Sequence, residues 1–369
     1  MQEIPKKMKG VYLTGFGGLD KLEYRTDIDV PRPKKGEVLV KIGAAAVNNT
    51  DINTRIGWYS KNVTTGTTVG GSEGFEDVDT DGSWMGETLT FPRIQGADSC
   101  GKIVTVGDGV DKNRIGERVV IRNVQERPAS LNGLECFTFG SESNGTFSEY
   151  TTARSEETFT INSELSDEEL SVLPCAYATA NNLICRVDVK ENDTVLITGA
   201  SGGVGSALIQ LVKARGAKVI GVCSEENEEL IKNIGADKII FRGEDYTEKL
   251  DEMSVDVVLD IVAGDKWSQL LKILKKGGKL GMSGAIAGPI VNFDVRDLYL
   301  KDISIYGATY QTKGSMLQLI DFVEQGKVRP IIAKTYPLKD IVEAQKAFLS
   351  KKYVGKIVLK VQEESNLDE

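Results

Sequence analysis

The stretch Thr194-Val195-Leu196-Ile197-Thr198-Gly199-Ala200-Ser201-Gly202-Gly203-Val204-Gly205 runs a short apolar strand straight into a glycine-rich turn. Val204–Arg215 then has the apolar spacing of a helix. Without side chains the turn's backbone can approach a pyrophosphate, and the free N–H groups at the helix start attract its charge. Ala200 stands at the first position of the G-x-G-x-x-G pattern, so the motif alone is weak. A tight strand–helix turn that binds nothing is the competing explanation.

The residues after the turn give it weight. Lys218–Cys223 is a strand, Glu225–Ile234 a helix ended by Gly235, and Lys238–Phe241 a strand. Val255–Asp260 is a strand, Lys266–Leu274 a helix ended at Gly277-Gly278, and Lys279–Ser283 and Ile303–Gly307 close the series. Short, nearly all-apolar strands alternating with helices predict a parallel sheet covered on both faces. The expected fold here is α/β, a doubly wound nucleotide-binding domain.

Upstream the texture differs. Val11–Gly15, Gly36–Ala44, Gly101–Val106 and Arg118–Arg122 are β-rich and bounded by turn residues. Ser60–Thr90 is rich in Gly, Thr and Asp with little periodicity, the mark of a functional lid or of a disordered insert. Ser166-Asp167-Glu168-Glu169 fits a capping box that opens a helix. Downstream, helices at Ser315–Glu324 and Ile341–Leu349 and a strand at Gly355–Leu359 are too few to fold alone, so they must pack on another domain.

Length and composition narrow the function. The 369 residues suit two domains of roughly 100–200 residues each. With 40% hydrophobic residues and no long apolar run, the chain offers no membrane helix and no signal peptide, so a cytoplasmic location is expected. The net charge of −9, with no basic block, disfavours nucleic acid. Five scattered cysteines, never in C-x-x-C, predict neither disulfides nor a structural zinc. Histidine is absent altogether, which excludes an imidazole base, a Ser-His pair and any His-ligated metal.

The dinucleotide is harder to choose. An acid about 20 residues past the glycines favours NAD, and this chain has Cys223 and then Ser224 there. Those small neutral groups leave room for a 2′-phosphate that Arg242 would help to hold. Glu225, Glu226, Glu228 and Glu229 argue the other way unless they are only the solvated first turns of a helix. NADP is favoured and NAD stays open.

Taken in order, Gly36-Glu37-Val38-Leu39-Val40, Val47-Asn48-Asn49-Thr50-Asp51, Ile94-Gln95-Gly96-Ala97-Asp98, Gly116-Glu117-Arg118-Val119, the glycine turn, Gly235-Ala236-Asp237 and Gly355-Lys356-Ile357-Val358-Leu359 resemble the medium-chain dehydrogenase/reductase superfamily. Within it, the sequence is similar to the zinc-independent quinone oxidoreductase branch. The resemblance implies a GroES-like substrate domain at 1–165, a Rossmann domain at 166–308 and a return of 309–369 to the substrate domain. It also implies a homodimer, a small-molecule substrate, and hydride transfer to a quinone or an α,β-unsaturated carbonyl.

Zinc-dependent members use a Cys, a His and a Cys where this chain has Asn48, Ala97 and Cys175, with Asp98 beside the second, so no zinc is expected. In its place the resemblance puts a neutral donor set of Asn48, Thr50 and Tyr59, Tyr59 standing where related enoyl reductases carry a proton-donating tyrosine. Thr179 and the turn Ser283-Gly284-Ala285 are placed beside the nicotinamide, with Ala200, Ser201, Gly202, Gly203, Val204 and Gly205 on the pyrophosphate. Phe75, Trp84 and Met85 are candidate substrate contacts from the 60–90 segment. Two other functions stay open: alcohol–aldehyde interconversion, and a dinucleotide-binding protein without turnover.

Overall fold

The protein is described by a computed structural model that covers residues 3–76, 78, 81–127 and 135–362. β1 (Lys7–Leu13) and β2 (Leu22–Asp29) form an antiparallel pair, extended by the short strand Arg93–Ile94. β3 (Glu37–Val47) is the spine of a larger sheet and feeds α1 (Asn49–Ile56). β4 (Asp98–Val106) pairs with β3, and β5 (Arg118–Ile121) pairs with β4. β6 (Tyr150–Arg154) lies on the first half of β3, and β7 (Thr158–Thr160) on β5. The expected capping box at Ser166 forms, with Glu169 N–H donating to Ser166 Oγ and Ser166 N–H to Glu169 Oε2.

Next, α2 (Ala178–Val187) leads into β8 (Thr194–Ile197), α3 (Gly203–Lys213), β9 (Lys218–Cys223), α4 (Glu228–Ile234) and β10 (Lys238–Phe241). β11 (Val255–Asp260), α5 (Trp267–Ile273), β12 (Leu274–Met282) and β13 (Ser304–Gly307) complete a six-stranded sheet. Its order is β10-β9-β8-β11-β12-β13 and every pair is parallel. This is the doubly wound Rossmann sheet that the alternation predicted. The chain reverses direction of growth between β8 and β11, and such a switch point opens a crevice at the carboxyl ends of the strands.

Past β13 come α6 (Lys313–Glu324), β14 (Ile332–Pro337), α7 (Ile341–Leu349) and β15 (Lys356–Lys360). β15 pairs antiparallel with β3 and parallel with β14, so the last strand lies beside the spine of the first sheet. α6 stays on the Rossmann side: Met316, Leu319, Ile320 and Val323 share a buried cluster with α2 and α3, and Asn181 donates to the Ser315 carbonyl. That cluster continues into Ala44, Ala46, Cys100 and Val358 of the first sheet, so one apolar core runs beneath the crevice. It fixes the two sheets relative to each other.

The 60–90 segment contains one helical turn, Thr67–Gly70, and otherwise little regular structure. Residues 77, 79 and 80 lie outside the described set. What is described is tied down on both sides. Thr67 N–H donates to the Ile286 carbonyl at 3.1 Å, and Met85 N–H to Glu142 at 2.9 Å.

Candidate active site

A cleft of about 330 Å³ lies where the two sheets meet. Asn48, Thr50 and Tyr59 line one wall, Thr179 and Cys175 the floor, and Gly202, Gly203, Val204, Ser283, Gly284 and Ala285 the other wall. Members of both expected groups therefore converge although they stand far apart in sequence, whereas Ala200, Ser201 and Gly205 lie outside the lining. Trp84 lines the cleft; Phe75 and Met85 do not.

The glycine turn is built by close approach. Gly199 has φ +61, a left-handed value that suits glycine. A Cβ on Gly205 would lie 2.7 Å from Ala200 Cα, so only glycine lets α3 pack so near the turn. Ala200 is buried against this junction, whereas a Cβ on Gly202 would meet only the Gly199 carbonyl, at 3.6 Å. Behind the turn, Thr198 Oγ1 donates to Asp260 Oδ1 at 2.5 Å, which ties the ends of β8 and β11 together. Ser283 Oγ donates to the Ala308 carbonyl, and Thr179 Oγ1 accepts from Gln311 Nε2 at 3.1 Å.

Cys223, Ser224 and Arg242 sit apart from the cleft lining, at the neighbouring ends of β9 and β10. Arg242 N–H donates to the Cys223 carbonyl at 2.7 Å. Burial pushes the Cys223 thiol up, Glu228 adds to the rise, and the Arg242 guanidinium opposes it, so both charges border this spot. Glu228 is itself paired with Lys232 at 2.6 Å.

At the centre lies a cation that the sequence did not single out. Lys356, the first residue of β15, passes the glycine turn so closely that a Cβ on Gly203 would meet its Cδ at 2.5 Å. Its ammonium is buried and donates to the Val47 carbonyl at 3.0 Å and to Asn48 Oδ1, and it pairs with Asp98 Oδ2 at 3.0 Å. Asn48 Nδ2 in turn donates to Asp98 Oδ2 at 2.8 Å and to the Ala46 carbonyl at 3.2 Å. Asp98 Oδ1 accepts from Cys175 N–H at 2.6 Å. Both amide hydrogens of Asn48 are thus committed within the wall.

Tyr59 and Thr50 have capacity left. The Tyr59 hydroxyl donates to Thr50 Oγ1 at 3.3 Å, and its ring packs edge-on against Trp58. Burial holds the Tyr59 phenol above its ordinary pKa, against hydrogen bonds to Thr50 and Asn53. Beneath them Asp51 accepts from Asn48 N–H at 2.8 Å and Gly96 N–H at 3.2 Å, which anchors the start of α1. Cys175 faces the same cleft, and burial, then Asp98, raise its thiol well above the ordinary range. Among the described residues no three His, Cys, Asp or Glu side chains come together in a way that would hold a metal ion.

Residues 34–163 match the alcohol dehydrogenase GroES-like domain and residues 203–325 the zinc-binding dehydrogenase domain. The chain is 38% identical to a candidate alcohol dehydrogenase of known structure from Sinorhizobium meliloti 1021, which covers 98% of both chains with a TM-score of 0.86. It belongs to the medium-chain dehydrogenase/reductase superfamily. It is 28% identical to acryloyl-coenzyme A reductase of Metallosphaera sedula over 90% of this chain and 95% of that one. It is likewise 28% identical to quinone oxidoreductase of Rattus norvegicus, over 96% and 98%. The protein is accordingly an NAD(P)H-dependent medium-chain reductase.

Proposed function

We propose that this enzyme reduces quinones or α,β-unsaturated carbonyl compounds with NADPH and without zinc. The observation that carries the proposal is the Tyr59–Thr50 hydroxyl pair in one cleft with the glycine turn. The names of the relatives point to the same substrates. The dinucleotide, when bound, supplies the hydride. Amides at Ser201–Val204 would hold its pyrophosphate at the start of α3, and Thr179 with Ser283–Ala285 would border its nicotinamide.

Hydride addition to the β-carbon of an enone, or to a quinone, leaves negative charge on the carbonyl oxygen. Tyr59 turns its one O–H from Thr50 to that oxygen and then gives it up as a proton, the second hydrogen of the reduction. Thr50 holds the phenol in line and passes a proton back to it from solvent. Lys356, paired with Asp98 and bonded to Asn48 Oδ1, fixes the wall that leads into α1, and Asn48 acts as the link between them. Zinc does not fit this wall: Asn48, Ala97 and Cys175 offer one soft ligand, and an ammonium already neutralises Asp98.

NADP is preferred because Cys223 and Ser224 are small and neutral and Arg242 is exposed, while Glu228 is already neutralised by Lys232. We further propose the division 1–165, 166–308 and 309–369, with α6 kept on the nucleotide side. The functional unit is a homodimer in the cytoplasm, with neither nucleic acid nor membrane as partner. No described helix is long and apolar enough to cross a membrane.

Chelator-treated protein should oxidise NADPH in the presence of a benzoquinone or an enone. Activity confined to a simple aldehyde and restored by added zinc would overturn the proposal. Equal use of NADH would overturn the cofactor preference alone.

A further inference from the structure

The cleft contains a second lysine that the reduction does not use. Lys351 lies in the turn between α7 and β15, and its backbone is left-handed with φ +53. Its ammonium rests 4.1 Å from the centre of the Phe348 ring, and it lines the cleft beside Phe348, Trp58 and Trp84. Among the described residues no carboxylate lines this cleft, and no acid or carbonyl is paired with the Lys351 side chain. Burial alone pushes it down to about 8.

A desolvated ammonium without a counter-charge is costly unless something that binds there supplies one. The backbone adds to the cost, because a left-handed lysine is strained where a glycine would not be. Neither cost serves the core: the residue comes just after the end of α7 and anchors no strand. A cation–π contact offsets part of the desolvation and leaves the charge unneutralised.

We propose that Lys351 is an oxyanion subsite for the substrate, binding a carboxylate or phosphate carried by the acceptor at the far end from its reacting carbonyl. The natural acceptor is then an anionic unsaturated carbonyl compound with an apolar middle that lies along Trp58, Trp84 and Phe348. This rests on the reductase function proposed above and deepens it. The same oxyanion chemistry exists on the dinucleotide, but its pyrophosphate has the amides at the start of α3, whereas Lys351 is set among aromatic side chains.

The test compares an enone ending in a carboxylate with its methyl ester. Wild-type enzyme should show a kcat/KM ratio for acid over ester of tenfold or more, chiefly through KM. Lys351→Met should bring the ratio to about one without changing the dissociation constant of NADPH. Lys351→Arg should keep most of the preference. Lys351→Gly, whose backbone suits φ +53, should melt no lower than wild type and still lose the preference, which separates the charge from the fold.

A second arm needs no turnover. Mild acetylation near pH 7.5 with the NADP⁺-bound protein should label Lys351, and hexanoate but not hexanamide should protect it. Protection by hexanoate without reduction of any acceptor would sink the reductase proposal and uphold the subsite. Equal use of acid and ester with no protection would overturn the subsite. So would a Lys351→Met variant that loses NADPH affinity and keeps the acid preference, since the lysine would then serve the cofactor.

Discussion

Burial makes the Tyr59 phenol a poorer acid than a free tyrosine, so its use as a proton donor depends on where it is held. Tyr59→Phe should lower kcat by roughly 10²-fold or more and leave NADPH affinity unchanged, as read by steady-state kinetics and cofactor fluorescence. The Lys356–Asp98 pair calls for a different experiment, because removing one partner of a buried pair costs about 3–5 kcal/mol. Lys356→Met and Asp98→Asn should each melt early, while the double variant recovers stability and keeps a depressed kcat. Recovery of both would reduce the lysine to a structural role. Burial pushes Asp51 up to about 7 from 3.8, against the N–H groups of Asn48 and Gly96. A carboxyl raised in the fold contributes most at low pH, and that contribution is lost as pH climbs through about 7. The Tm advantage of wild type over Asp51→Asn should therefore shrink between pH 5 and pH 8. Asn48, Thr50 and Tyr59 were legible as a group because motif order placed them. The role of Lys356 was not, since it depends on an amide 308 positions away that only strand pairing brings near.

Regular elements were legible wherever one pattern dominated. The alternation at Val255–Asp260 and the apolar stripe at Ile341–Leu349 give the observed β11 and α7 with the same ends. α2 was missed because Asn181 and Asn182 are buried in it, which breaks the apolar stripe that marks a helix in sequence. β14 escaped for the opposite reason: it is a largely exposed edge strand closed by Pro337 and has no clear alternation. The 60–90 segment could be read only as lid or disorder, because its order comes from contacts made across the cleft. Trp58 Nε1 donates to the Thr65 carbonyl, and Thr67 N–H reaches the Ile286 carbonyl on the nucleotide side. Gly66 lies at that crossing, where a Cβ would stand 2.7 Å from the Ile286 oxygen. Gly66→Ala should force the strap outward and cost about 1–3 kcal/mol. It should raise KM for the acceptor and quicken NADPH release in stopped-flow. An unchanged release rate would mean that the strap does not govern access.

At the scale of the whole molecule, the Rossmann sheet ends in an unpaired edge at β13, and exposed edges are ready templates for another chain. Ile305, Tyr299 and Leu300 are exposed on or near it, at 39%, 61% and 63%. Ile305→Glu should convert a dimer into a monomer in light scattering, and a wild-type protein already monomeric would remove that proposal. The split into a β-rich part and a parallel α/β part was legible from the change in texture near residue 166, and the return of the tail from its being too small to stand alone. The place of β15 beside β3 has a consequence for how the protein is made. On the ribosome the parallel sheet and its helices emerge before β15, whereas β3 waits for that strand as its neighbour. Until that strand arrives, the nascent chain holds an open seam along β3 and no ammonium beside Asn48 and Asp98. The site is therefore completed only after the nucleotide half has emerged, and a chain cut just before Lys356 should bind dinucleotide and reduce no acceptor.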